Sequence, residues 1–179
     1  MGFSTSFSYR FEAAHRFIDS SSIRCATPHG HSWNAEIEFK ASEFQLDNSM
    51  MLHEFTSLKS AWKTFIHETV DHSFFIHHRD PILQSLVKEY PPNRLLIFPG
   101  NPTTELVAAL FLRKCVVMHD SLQAKSTVAP SKIIIRETET NSISLSNFEY
   151  ESFMRLNQID KFAGWWNSVD PTNRCFEGF

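Results

Sequence analysis

The sequence predicts an α+β domain, a four-stranded antiparallel sheet with two long helices on one face in the order ββααββ. Three observations predict it. Polar and apolar residues alternate in two early segments, Phe7 to His15 and His29 to Lys40. The apolar period then lengthens to that of a helix, from Glu54 to Thr69 and again from Thr103 to His119. Alternation returns in two late segments, Lys132 to Thr138 and Ser142 to Tyr150. Strands at both ends with helices between them place the helices together on one side of the sheet.

In the first strand Phe7, Tyr9, Phe11, Ala13 and His15 share one parity, and Ser6, Ser8, Arg10 and Glu12 the other, so one face is buried. Residues 16–28 hold Asp19, a serine triplet and Pro28 and read as a loop. The second strand sets His31, Trp33, Ala35, Ile37 and Phe39 on the inner parity, which His29 shares. The first long helix is amphipathic: Phe55, Leu58, Trp62, Phe65, Ile66 and Thr69 recur at helical offsets while Lys59, Ser60, Lys63 and His67 fall between them. Asp80-Pro81 ahead of Ile82, Leu83, Leu86 and Val87 predicts a short helix with Asp80 as cap. The second long helix starts at NPTTE with Thr103 as cap and Glu105 in the first turn, and is apolar nearly all round, as a buried helix should be. KIIIRET and SISLSNFEY supply the last two strands across a short turn at Asn141.

A chain of 179 residues that is 42% hydrophobic and 13% aromatic builds one core and one domain. The net charge of −3 offers no general field for nucleic acid or an anionic membrane, so neither is an expected partner. The first apolar run, MGFSTSFSYRF, lacks the basic flank and apolar stretch of a secretory signal, and nowhere do about 18 apolar residues follow one another, which predicts a cytoplasmic protein. Cys25, Cys115 and Cys175 are an odd number at distant positions and leave at least one thiol free. Residues 151–179 carry Phe153, Phe162, Trp165, Trp166 and Phe176, too aromatic for a disordered tail, and are expected to pack on the domain formed by residues 1–150.

If the first two strands pair across the loop, His15 at the end of one meets His29 and His31 at the start of the other, all on the apolar side. A single inward histidine is most simply a hydrogen-bonded core residue. Three that converge carry a desolvation cost that a metal removes. Zn²⁺ takes neutral imidazole nitrogens, and a catalytic site keeps three protein ligands and one open position. Cys25 lies four residues before His29. Base or nucleophile, fourth zinc ligand, and small buried loop residue are all open to it.

Six motifs in order resemble the family of 6-pyruvoyl- and 6-carboxy-tetrahydropterin synthases, enzymes of the tunnelling fold (T-fold). They are FEAAH with His15, CATPHGH with Cys25, His29 and His31, MMLHEFTSLK leading into the first long helix, DHSFF with Asp71 and His72, NPTTE with Thr103 and Thr104, and IRETE with Glu137. The resemblance covers roughly residues 7 to 150. It implies that His15, His29 and His31 hold Zn²⁺, that Cys25 is the proton-abstracting base, and that Asp71 with His72 relays a proton. It further implies that Glu137 binds the pterin ring, its carboxylate accepting two hydrogen bonds from a guanine-like edge, with Thr103 or Thr104 completing the pocket. Asp71 as a turn cap, His72 as a core residue and Glu137 as a solvated strand residue are the plainer alternatives.

The spacing Cys25-x3-His29 resembles the bacterial 6-carboxy-tetrahydropterin synthases. The implied reaction is that of a lyase, converting 7,8-dihydroneopterin triphosphate to 6-carboxy-5,6,7,8-tetrahydropterin, acetaldehyde and triphosphate on the route to queuosine. The alternatives are a 6-pyruvoyl-tetrahydropterin synthase, which expels triphosphate and keeps the side chain, and a noncatalytic zinc or pterin binder. The resemblance also implies a homo-oligomer with active sites between subunits. Arg16 and Arg24, beside the metal ligands in sequence, are the basic residues nearest to hand for the triphosphate. Two departures from the family pattern are Glu54-Phe55, where Asp-Phe is usual, and the extension 151–179.

Overall fold

Why the first two strands form a hairpin is visible in their register. Strand β1 (Ser4–His15) pairs antiparallel with β2 (His29–Ala41), so that Phe11 faces Trp33, Ala13 faces His31 and His15 faces His29. Slipping the pair by one residue would turn every one of these side chains to the other face. The computed structural model describes residues 2–43, 46, 48–51, 53–89, 94–123 and 127–177, leaving aside the side chains of residues 57 and 123. Leu52 of MMLHEFTSLK and the last two residues of the extension lie outside the described residues.

The fold is α+β, as expected, but the sheet is wider. Among the described residues six strands form one sheet in the order β4-β3-β1-β2-β5-β6. Strands β5 (Val128–Arg136) and β6 (Ser142–Ser146) are the expected late pair. The two additional strands, β3 (Ser73–His77) and β4 (Leu95–Phe98), join beyond β1 in parallel, with α3 (Leu83–Glu89) between them in the chain. A parallel pair needs such a crossover. SFFIH and LLIF are strands of five and four residues with apolar runs of three and four, too short for periodicity to separate strand from helix, so a four-stranded sheet was the sequence-based expectation.

The loop after β1 contains one helical turn, α1 (Ile23–Ala26), capped by Ser22. Helix α2 (Phe55–Thr64) continues as a π-helix over Phe65–Val70, a form that often accompanies functional sites. Asp80 does accept an N–H at the expected start, that of Ile82, but α3 begins only at Leu83. Helix α4 (Thr104–Gln123) is buried along most of its length, including Val107 to Leu112. The last strand is shorter than expected. After Ser146 the chain becomes helix α5 (Asn147–Leu156), so Phe148, Glu149 and Tyr150 are helical. The reason is burial at helical spacing: Tyr150 and Met154, four residues apart, enter the core while Phe148 stays exposed, and Ser146 Oγ bonds the Glu149 carboxylate at 2.5 Å.

One aromatic core joins sheet, helices and extension. Phe11 and Trp33 stack on the sheet side, Phe65 and Phe111 come from the helices, and Trp165, fully buried, stacks on Phe65. Each such ring is worth about 1.5–3 kcal/mol on burial. Lys114 on α4 donates to the carbonyls of Trp165, Ser168 and Asp170 at 2.9, 2.8 and 2.6 Å, fixing the extension to the helix. Trp165 Nε1 donates to Ile97 O of edge strand β4. No helix among the described residues is long and apolar enough to cross a membrane.

Candidate metal centre and pterin site

The hairpin register brings the three predicted histidines together. One ligand nitrogen from each of His15, His29 and His31 lies within 4.8 Å of the others, and their rings are 4.5 to 5.2 Å apart. His15 is buried against Trp33 and Phe17, while His29 and His31 are half-buried.

Their tautomers follow from what holds the rings. His15 Nδ1 donates to Pro102 O at 3.0 Å and His29 Nδ1 to Thr27 O at 2.8 Å, so Nδ1 carries a proton in both rings and Nε2 is the nitrogen each can offer to a metal. The two bare Nε2 atoms then face each other at 3.1 Å. Two lone pairs at that distance repel, and a cation between them turns the repulsion into ligation. A metal ligand whose other nitrogen donates to a carbonyl is held in orientation and made a better donor. Burial, with His29 and His31 adding to it against the Pro102 bond, pushes the His15 imidazole down to about 4, and burial lowers His31 as well. Neutral imidazole is the form a metal needs. The donor set therefore fits a dication, and three nitrogens leave room for a fourth ligand.

Glu137, half-buried just past β5, stands beside this cluster, with one carboxylate oxygen 3.6 Å from His15 Nε2. Its charge also acts on His31. Cys25 sits in the one-turn helix α1, half-buried, with its carbonyl accepting from Phe17 N–H at 2.8 Å. It lies outside the group of converging ligand atoms, which among the described residues comprises the three histidines. Thr103 is the start of α4: its Oγ1 accepts from Leu106 N–H at 3.4 Å and its carbonyl from Val107 N–H. Thr104 is the first helical residue, half-buried.

Asp71 and His72 follow the π-helix. The Asp71 carboxylate meets His72 Nδ1 at 2.9 Å and accepts from Glu12 N–H at 2.8 Å. Partial burial opposes ionisation, yet those two hydrogen bonds hold the carboxyl below its usual range. The His72 side chain is 73% exposed. His72 and His31 both border one open groove of about 610 Å³, floored by Ala14, Phe74 and Leu95.

Arg16 is spoken for. Its Nε lies 3.0 Å from Asp80 Oδ2, and Asp80 is buried, so this guanidinium neutralises a carboxylate instead of standing free for an anion. Arg24 is exposed in α1. The sequence motifs pointed at side chains and missed the groups that orient them. Pro102 holds His15, and Asn101 clasps the Ile18 backbone by two bonds of 2.9 Å, tying the loop after β1 to the start of α4. NPTTE drew attention through its threonines, and backbone acceptors leave no mark in residue type.

The comparisons with known proteins agree with this fold. A family model described as 6-pyruvoyl tetrahydropterin synthase matches residues 4–147. The 6-carboxy-5,6,7,8-tetrahydropterin synthase of Rickettsia conorii is 30% identical over 98 residues, 55% of this chain and 69% of its own. That of Aquifex aeolicus is 27% identical over 150 residues, 74% of this chain and 91% of its own. Among solved structures, an uncharacterized protein from Wolinella succinogenes superposes with a TM-score of 0.66 at 19% identity, covering 82% of this chain and 99% of that one. The 6-pyruvoyl tetrahydropterin synthase of Plasmodium falciparum gives 0.58 at 19% identity, covering 80% and 98%. With the fold, the histidine cluster and a family model spanning β1 through β6 in accord, this chain belongs to the 6-pyruvoyl tetrahydropterin synthase family and is a tetrahydropterin synthase-like enzyme.

Proposed function

We propose that the protein is a zinc-dependent lyase that converts 7,8-dihydroneopterin triphosphate to 6-carboxy-5,6,7,8-tetrahydropterin, acetaldehyde and triphosphate, in the cytoplasm and on the route to queuosine. The observation that carries the proposal is the pair of bare Nε2 atoms of His15 and His29, 3.1 Å apart beside His31, a cation site with an open position. The names of the Rickettsia and Aquifex relatives support the carboxy product.

His15, His29 and His31 hold the zinc, which when bound acidifies C–H and O–H bonds beside the oxygens it polarises. Glu137 accepts two hydrogen bonds from the pterin edge and sets the side chain toward the histidines, with Thr103 and Thr104 at the rim. The Cys25 thiolate takes a proton from the side chain, and His72, oriented by Asp71, moves the second one. The exposed His72 is free to serve a neighbouring copy. A homo-oligomer accounts for this exposure, because β6 ends the sheet and β1 is covered by β3 only from Ala13 to His15. In this reading residues 1–150 are the catalytic domain and 151–179 an extension packed on it.

Incubating the zinc-loaded protein with dihydroneopterin triphosphate tests the proposal: acetaldehyde appears with the carboxy-pterin. A product that has lost triphosphate but keeps its three-carbon chain would instead make it a 6-pyruvoyl-tetrahydropterin synthase, the reading favoured by the name of the family model. Cys25→Ala should keep zinc and lose turnover by about 10²-fold or more. No turnover in the wild type, with zinc and pterin both bound, would leave a noncatalytic binder.

A further inference from the structure

The π-helix ending at Val70 leaves carbonyls without helical partners, and the chain turns at once, placing His72 at φ 57. A residue with a side chain keeps that left-handed conformation only where its neighbours hold it. On one side they are β1 and the helix itself. His72 N–H donates to Glu12 O at 2.6 Å, and Asp71 N–H donates to Ile66 O at 2.8 Å. On the other side they belong to the C-terminal extension. Ser73 Oγ donates to Thr69 O at 2.6 Å and accepts from Arg174 Nη1 at 3.1 Å. Arg174 Nη2 donates to Glu68 O, and Thr69 Oγ1 donates to Pro171 O at 2.7 Å. Pro171 and Arg174 lie beyond residues 4–147, the part matched by the family model.

We propose that Arg174 is a positioning residue for the Asp71–His72 pair. Its guanidinium caps the carbonyl end of the π-helix and, through the Ser73 hydroxyl, keeps His72 in the left-handed conformation that lays its ring on Asp71. This rests on the reading of Asp71 and His72 as the proton relay. The planar fork gives one nitrogen to the Ser73 hydroxyl and the other to the Glu68 carbonyl in a fixed geometry, whereas an ammonium is a single point of charge. A cation there also meets the negative end of the helix. Burial, with Arg94 nearby, lowers the guanidinium to about 10, which leaves it charged at neutral pH. In this reading the extension acts on the site by holding the Asp71–His72 pair in place.

The test uses the full zinc-loaded chain with Arg174→Ala and Arg174→Lys. Turnover of dihydroneopterin triphosphate and amide hydrogen exchange by NMR are measured side by side. The expected result for Arg174→Ala is a kcat lowered about 10- to 100-fold with KM within about threefold. The His72 amide should exchange at least about tenfold faster while the Trp33 amide in the core keeps its rate. Arg174→Lys should recover only part of the loss. Unchanged kcat and His72 exchange would overturn the proposal, and so would a loss of kcat that tracks equally faster exchange throughout the core, since that is a merely structural role. Undiminished turnover by His72→Ala would sink the relay reading instead. The His72 exchange rate in Arg174→Ala would then support or overturn the clamp by itself.

Discussion

The Nε2 atoms of His15 and His29 face each other across 3.1 Å, while the opposite nitrogen of each ring is bonded to a backbone carbonyl. Neither ring can turn its bare nitrogen away without giving up a hydrogen bond worth about 1 kcal/mol.

Metal content tests that arrangement. His29→Ala should lower zinc from about one equivalent per chain to less than about a tenth, measured by plasma mass spectrometry after dialysis. Chelation of the wild type should lower Tm by about 5–10 °C, because zinc binds only the folded chain. An unaltered zinc content in His29→Ala would refute the assignment.

Glu137→Gln keeps the shape of the side chain and removes the charge. Charge-assisted hydrogen bonds contribute about 1.5–3 kcal/mol, so fluorescence titration with neopterin should show affinity weakened by roughly 10- to 100-fold with zinc retained. Equal affinity would place the pterin elsewhere.

Acid should destabilise the fold through His77, which is not one of the three converging histidines. Burial, then His78 and Arg79, lowers His77 to about 4, and its Nδ1 accepts the Arg79 N–H at 2.8 Å, a bond that only the neutral ring can make. Between pH 6.5 and about 4 the unfolded chain takes up a proton that the folded chain refuses, so stability is lost as pH falls through that window. With screening at this half-buried site the effect is on the order of 1 kcal/mol. Tm should decline across the window, and His77→Gln should flatten the slope. An equal slope in the variant would remove His77 from the account.

Lys114→Met tests the anchoring of the extension. It strips the donor from three carbonyls, those of Trp165, Ser168 and Asp170, in the core. A destabilisation of roughly 2–4 kcal/mol is expected, read as a lower urea midpoint with Trp165 fluorescence shifted to the red. A midpoint within error of wild type would show that the extension is held by its aromatic rings alone.

Period and motif order determined much of this protein. Alternation gave the hairpin, and the hairpin gave the three histidines, because in paired strands the side-chain face is set by parity alone. Alternation did not reveal the stop of β6 at Ser146, because the burial of Tyr150 and Met154 at helical spacing depends on what α5 packs against. Tertiary structure alone decided the rest. Strands β3 and β4 are too short to show a period, and only β1 and the α3 crossover make them strands. That Arg16 is bound to Asp80 while Arg174 reaches Ser73 are facts of distance between residues 64 and 101 positions apart. The acceptors that fix the histidine tautomers, Pro102 O and Thr27 O, are backbone atoms that every residue carries. Sequence can name a ligand by its side chain, but which atom of it is free depends on which carbonyl the folded chain brings alongside.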